Sequence, residues 1–219
     1  MSVGKYQLAE EIGILLSSYN YRFFDRRDFL KRIICFIIAL IAIDQAVKLF
    51  IAQFYINVEI IFIQGVLLFR PVQNTNLLWV ASVAENKPSV YMVIIIQIFA
   101  ALMVVLIHRY ISYIWDNHQG MLNTYLILSL SGVCCSFIDV VFWGGSLDYI
   151  RLFDWFTFDM KDAFLTFSQV LLILSLLFVY MPHYYKLSKE ERKQHGILHW
   201  IKKGLPTKPV KKHNTKSRF

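Results

Sequence analysis

Asp44, Asn74, Asp139, Asp148, Asp154, Asp159 and Asp162 are the residues whose type and placement in this chain suggest chemistry. Five of these acids, Asp139 to Asp162, occupy a short stretch between two strongly apolar segments. Carboxylates are expensive near hydrocarbon, so acids gathered at one end of a membrane helix pair mark a functional site. Two carboxylates at such a site can share one proton, because low dielectric and mutual repulsion push their pKa values apart. The charged one takes a proton from water as it attacks a carbonyl. The neutral one donates to the developing oxyanion. That chemistry requires neither metal nor cofactor.

Asp44 and Lys48 lie four residues apart, on one face of a helix, where an acid and a base lower each other's cost in lipid. A structural ion pair anchoring the helix end explains them equally well. Asn74-Thr75-Asn76 precedes a second apolar run, where loop capping is the simple account. Asp162 opens a helix, where the dipole and free backbone N–H groups favour a carboxylate. Capping does not explain why Asp44, Asn74, Asp139, Asp148 and Asp162 all map to one membrane boundary. A shared site does.

The elements that position these residues follow from composition. The chain has 219 residues, 57% of them hydrophobic and only 17% charged, below the usual soluble share of about 25%. A soluble domain of this length cannot hide so much apolar surface, so an integral membrane protein is expected. Eleven of the 23 Lys and Arg follow Pro182 and six precede Ile33, which fits membrane flanks and not a nucleic-acid groove. Cys35, Cys134 and Cys135 all fall in apolar segments without metal-ligand spacing, and read as small core residues. The first apolar run follows about thirty mixed residues and is expected to remain as an anchor.

Four spans are predicted, over about 33–55, 90–111, 122–143 and 163–181. Pro182 and the charged stretch from Lys186 to Lys193 are expected to end the last. The basic tail and the Arg22–Arg32 cluster nominate the side of both termini as cytosolic, while Arg70, Lys87, Arg151 and Lys161 are the few positive charges opposite. The sequence therefore predicts an all-α four-helix bundle with a small extracytoplasmic β element. That element is expected within residues 56–88, where Val58-Glu59-Ile60-Ile61-Phe62-Ile63 and Val66-Leu67-Leu68-Phe69 flank Gly65. Residues 1–32 are expected to form an N-terminal interfacial segment, with Leu8, Ile12, Leu15 and Leu16 at helical spacing. Residues 33–182 are expected to form the membrane domain and 183–219 a basic tail, with disorder expected after Gly204.

With these motifs in place, the chain resembles signal peptidase II, the membrane aspartic peptidase that cleaves bacterial prolipoproteins. The family's D-x-x-x-K signature is matched by Asp44-Gln45-Ala46-Val47-Lys48. Its N-x-G-A-A motif is matched in part by Asn74-Thr75-Asn76-Leu77-Leu78. Its G-N-x-x-D-R motif corresponds to Cys135-Ser136-Phe137-Ile138-Asp139-Val140, its V-V-D motif to Ser146-Leu147-Asp148, and its F-N-x-A-D motif to Phe158-Asp159-Met160-Lys161-Asp162. The resemblance implies a catalytic pair, Asp148 and Asp162, with Asp139 as a supporting acid and Asn74 and Ser136 as substrate contacts. It also implies a diacylglyceryl-cysteine substrate cut on that residue's N-terminal side, a bacterial inner-membrane location and an active site on the outer face. The chain departs from the family pattern at Asn76, Ser136, Val140, Asp159 and Lys161. Val140 replaces an arginine, and the lost charge is expected from Arg151 or Lys161. Asp159 places a third acid beside the pair.

Other groupings are weaker. His195 and His199 are four apart, but without the glutamate of a zinc-protease motif a solvated basic juxtamembrane helix is expected. Trp143, Trp155 and Phe156 suit an aromatic belt, or line a lipid-facing entrance. Two other functions fit parts of the pattern. A non-catalytic protein holding lipoprotein or lipid is suggested by the altered motif neighbours. A proton-relay subunit would need polar residues through the depth of several helices, whereas the second and fourth spans are almost wholly apolar.

Overall fold

A computed structural model describes residues 3–75, 89–114, 119–153 and 155–206, with the side chains of residues 3–27, Val179 and His183 left aside. Asn76, Leu77, Leu78, Lys87, Asp116, Asp154 and the tail after Pro206 lie outside the described residues.

Long apolar runs form helices because an α-helix satisfies its backbone groups internally, which hydrocarbon demands. The first is α1, Val3–Phe54, continuous through the expected boundary at residue 32. It is followed by β1 (Ile60–Ile63), β2 (Leu67–Asn74), α2 (Val90–Ile114) and α3 (Gln119–Ile138). A π-helical turn (Asp139–Trp143) leads to β3 (Ser146–Leu152), β4 (Phe156–Phe158) and α4 (Met160–Leu174). A second π-helical stretch (Ser175–Tyr180) precedes α5 (Met181–Tyr185), α6 (Lys189–His195) and α7 (Ile197–Lys202). Among the described residues, four stretches are long and apolar enough to cross a bilayer: Asp28–Phe54, Val90–Ile114, Gln119–Trp143 and Met160–Phe178. This is a multi-pass membrane protein.

α3 is the central helix and packs against α1, α2 and α4. Its small residues permit this. Ser129, Ser131, Gly132 and Cys135 are buried, and a Cβ on Gly132 would lie 2.6 Å from Leu165 of α4. Close backbone approach at small residues is the usual way membrane helices associate. Large apolar side chains such as Phe36, Tyr91, Phe99 and Phe178 point outward, where lipid rather than water is their partner.

The β element is larger than expected, and it draws on both connections at that end of the bundle. β1, β2, β3 and β4 form one antiparallel sheet in that order. β2 pairs with β3 from Leu67↔Leu152 to Asn74↔Ser146, so the strand carrying Asp148 lies against the strand ending at Asn74. The free edge of β2 recruits Ser146–Leu152, whose serine, aspartate and arginine mask its strand character in the sequence. Ile51 of α1 packs on Leu147 and Tyr149, fixing the sheet to the helices.

Two further expectations change. Pro182 does not itself end the helical run: it lies in the first turn of α5, where a missing N–H is tolerated, and the run ends at Tyr185, just before the charged stretch from Lys186. The basic segment after Lys186 is not solvated all round. Trp200 of α7 is 3% exposed and packs with Ile111, Ile114 and Leu122. His195 ends α6 and His199 belongs to α7, with Gly196 between them, so they share no helix face.

Candidate active site

Lys48 is the first anchor of the site. Asp44 and Lys48 are fully buried on α1, with the Lys48 ammonium 2.9 Å from Asp44. The same ammonium lies 2.7 Å from both Asp139 and Asp159. The ion-pair reading of this i, i+4 set therefore understated it: the lysine joins three carboxylates from three parts of the chain. Gln45 adds donors to Asp44 (3.0 Å) and Asp139 (3.3 Å), and its carbonyl oxygen accepts from Trp143 Nε1 at 3.0 Å.

Asp139 opens the π-helical turn at the end of α3, where one extra residue per turn redirects side chains. The turn closes on Gly144, whose positive φ of 63° is a left-handed cap. Gly145 follows with φ 157°. A side chain there would collide with the backbone carbonyl of Asn74. That close approach lets β3 start directly beside the end of β2.

Asp148 sits on β3, buried. Asn74 Nδ2 donates to its Oδ2 at 2.9 Å, and Ser146 Oγ donates to its Oδ1 at 2.6 Å. The Ser146 oxygen in turn accepts from the Lys161 ammonium at 2.5 Å. Burial pushes the Asp148 carboxyl above the ordinary carboxylate range, although Lys161, Ser146 and Asn74 oppose it. Tyr149 beside it is pushed up to about 12 by burial and by the charges of Asp159 and Asp44.

Asp159 and Asp162 begin α4 as a reciprocal capping box. The Asp159 carboxylate accepts from the Asp162 backbone N–H at 3.2 Å, and Asp162 accepts from the Asp159 N–H at 3.3 Å. The N-cap is therefore Asp159, and Asp162 is the acid one turn later. Asp159 is buried, which alone would raise its pKa. Lys161 and Lys48 outweigh that and hold it below the usual range. The Asp162 side chain is 42% exposed, against 5% for Asp148. Carboxylate oxygens of Asp148, Asp159 and Asp162 lie within 4.8 Å of one another. One water molecule can bridge two oxygens at that separation, since each O–H···O bond spans about 2.7–2.8 Å.

Asp44, Lys48, Asn74, Asp139, Asp148, Asp159 and Asp162 thus form one cluster. Ser136 is engaged elsewhere, accepting from Gln97 Nε2 of α2 at 2.9 Å. Arg151 is three residues beyond Asp148 on β3, and strand alternation places it on the opposite face from Asp148 and Ser146. The charge for Asp139 comes instead from Lys48 and from Lys161 at 3.3 Å. Ser146, Gln45, Gln97 and Tyr149 were not singled out from sequence. Gln45 and Gln97 carried a signal as lone amides within apolar helices; Ser146 and Tyr149 carried none without the strand pairing.

Three clustered carboxylates also suggest a cation site. Here the Lys161 ammonium already lies 2.6 Å from Asp159, 3.6 Å from Asp148 and 3.9 Å from Asp162, in the place such an ion would take.

Comparison with known proteins agrees with this architecture. No curated protein matches the chain. A bacterial membrane enzyme structure solved by the in meso method at 1.9 Å resolution is similar to it, with TM-score 0.55 and 24% identity over 68% of this chain and 94% of that one. A second bacterial membrane enzyme structure, at 2.3 Å resolution, gives TM-score 0.53 and 23% identity over 74% of this chain and 96% of that one. At such identity these relatives show the fold. The family model for signal peptidase (SPase) II matches residues 36–178, from the first span to the last, and the chain belongs to that family.

Proposed function

We propose that this chain is an aspartic endopeptidase that removes signal peptides from diacylglyceryl-modified prolipoproteins, with Asp148 and Asp162 as its catalytic pair. Membership of the family makes it a membrane peptidase of the lipoprotein signal peptidase type. The finer reading rests on one observation: carboxylate oxygens of a braced, buried Asp148 and a half-exposed Asp162 lie within 4.8 Å.

In this reading a water held between the two carboxyl groups attacks the carbonyl preceding the lipidated cysteine. One carboxylate takes the water's proton while the other carboxyl protonates the carbonyl oxygen. The tetrahedral intermediate collapses as the cysteine nitrogen gains a proton and the C–N bond breaks. Asn74 and Ser146 hold Asp148 in orientation, and Asp44, Lys48, Asp139 and Asp159 fix the floor beneath it. The outward apolar surface of the spans suits the substrate's acyl chains, and the exposed β1 residues Ile60, Ile61, Phe62 and Ile63 suit the headgroup zone. Both termini would face the cytosol and the sheet the outer surface. The domain limits 33–182 enclose every residue of this cluster.

A non-catalytic lipid-binding protein drew its support from the altered motif neighbours. Two of these, Asp159 and Lys161, pair with each other at 2.6 Å, which suits a compensated site better than a decayed one. The test is to offer purified protein a diacylglyceryl-cysteine precursor and its unlipidated twin, with products identified by mass. Cleavage of the lipidated form alone, immediately before cysteine, is expected. Tight binding without a cut across the pH range favours the binding reading.

A further inference from the structure

We propose that Lys161 is a positioning residue for the reaction: its ammonium is the built-in cation around which Asp139, Asp148, Asp159 and Asp162 are arranged. The proposal rests on the peptidase reading above. Lys161 is 6% exposed and its Nζ reaches Asp159 at 2.6 Å, Asp139 at 3.3 Å, Asp148 at 3.6 Å and Asp162 at 3.9 Å. It also donates to Ser146 Oγ at 2.5 Å, whose own short bond runs to Asp148.

Helix preference does not put it there. Lys161 is in the first turn of α4, where the helix dipole disfavours a positive charge. The carboxylates outweigh that. The site gathers Asp44 and Lys48 from α1, Asp139 from the end of α3, Asp148 and Tyr149 from β3, and Asp159, Lys161 and Asp162 from the start of α4. Cys135 of α3 also lies close to Asp44. Five carboxylates therefore face two ammonium groups, and Lys48 is committed to Asp44, Asp139 and Asp159. Lys161 reaches both members of the proposed pair. The next position after Asp139 is a buried Val140 and supplies no charge. The contact with Ser146 does not make a serine nucleophile, because Lys161 donates there and to carboxylates instead of accepting a proton.

Lys161 has a consequence for pH. Its charge favours ionised Asp148, so neutralising it moves Asp148 titration upward, while removing Asp159 moves it back. The experiment compares wild type, Lys161→Met, Lys161→Met/Asp159→Asn and Lys161→Met/Val140→Arg. Two readouts are taken: the pH profile of kcat/KM on the lipidated precursor, and infrared titration of the Asp148 carboxyl, identified against Asp148→Asn. In Lys161→Met the limb set by Asp148 is expected to rise by about 1–3 pH units, the size of an opposite-charge effect at this distance. Asp159→Asn brings it part of the way back, and Val140→Arg restores a cation beside Asp139 and lowers it again.

A folded Lys161→Met with an unmoved limb and unmoved infrared titration would overturn the proposal. So would loss of cleavage at every pH with Asp148 titrating as in wild type, which would make Lys161 itself a proton-transfer group. Should the single variant fail to insert, the Asp159→Asn double variant removes the buried pair as a unit and carries the same test with a smaller upward shift. If wild type cuts no precursor, the peptidase reading fails, while the infrared titration still decides the role of Lys161.

Discussion

Replacing Lys48 with methionine keeps the aliphatic stem and removes the charge that joins α1 to α3 and α4. The ammonium is fully buried, 2.7–2.9 Å from Asp44, Asp139 and Asp159. After its loss, Asp159 and Asp139 keep Lys161 at 2.6 Å and 3.3 Å. Asp44 keeps the Gln45 amide at 3.0 Å and the nearby Cys135 thiol, but no cation among the described ion pairs. The penalty therefore concentrates on Asp44, and breaking one partner from a buried pair costs about 3–5 kcal/mol. Asp44→Asn should cost less, about 1–2 kcal/mol, because Lys48 retains two carboxylates. The Lys48→Met/Asp44→Asn double variant removes the stranded charge, so it should fall short of the summed single effects by about 2–3 kcal/mol. Equilibrium unfolding in mixed detergent micelles measures all four corners of this cycle. Additive single effects, or Asp44→Asn costing more than Lys48→Met, would refute the reasoning.

Three further outcomes are expected. Gly145→Ala should push the backbone of Asn74 away from β3 and cut precursor turnover at least tenfold while the helices still insert; turnover at the wild-type rate would contradict the close-approach argument. Asp148, with its folded pKa raised, binds more protons folded than unfolded, so its contribution to stability is greatest in acid and declines as pH rises through the folded value. Melting curves from about pH 4 to pH 8 should show wild type losing ground to Asp148→Asn as pH rises, and parallel curves would count against it. Ile61→Asp, on the exposed face of β1, should weaken binding of the protein's sheet end to a bilayer surface; spin-label depth at residue 62 should shift toward water, and an unchanged depth places the sheet clear of the headgroups.

Much of this architecture was legible because hydrocarbon imposes simple rules. Runs of about twenty apolar residues have no alternative to helix, and the four spans follow from that alone. The polar residues Asp44, Lys48, Asp139, Asp148 and Asp162 stood out because acids in such surroundings need a reason. The sheet was half visible. β1 and β2 carry β-branched and aromatic runs around Gly65, whereas β3 is a strand only because β2 offers it an edge. Tertiary pairing decided that segment against its own composition. The reach of Lys161 was hidden because most of its partners are distant in sequence. Asp139 reaches it from the π-helical turn, Ser146 and Asp148 from β3, and Asp159 and Asp162 from the N-cap and first turn of α4. Arg151 was an equal candidate in sequence, and the alternation of one strand sets it on the other face of β3.

Single-turnover cleavage of a diacylglyceryl-cysteine precursor by wild type, Asp148→Asn and Asp162→Asn, with insertion checked for each, addresses the shared water most directly. A cut by wild type and none by either properly inserted variant is expected. Cleavage at a wild-type rate by either one would contradict it.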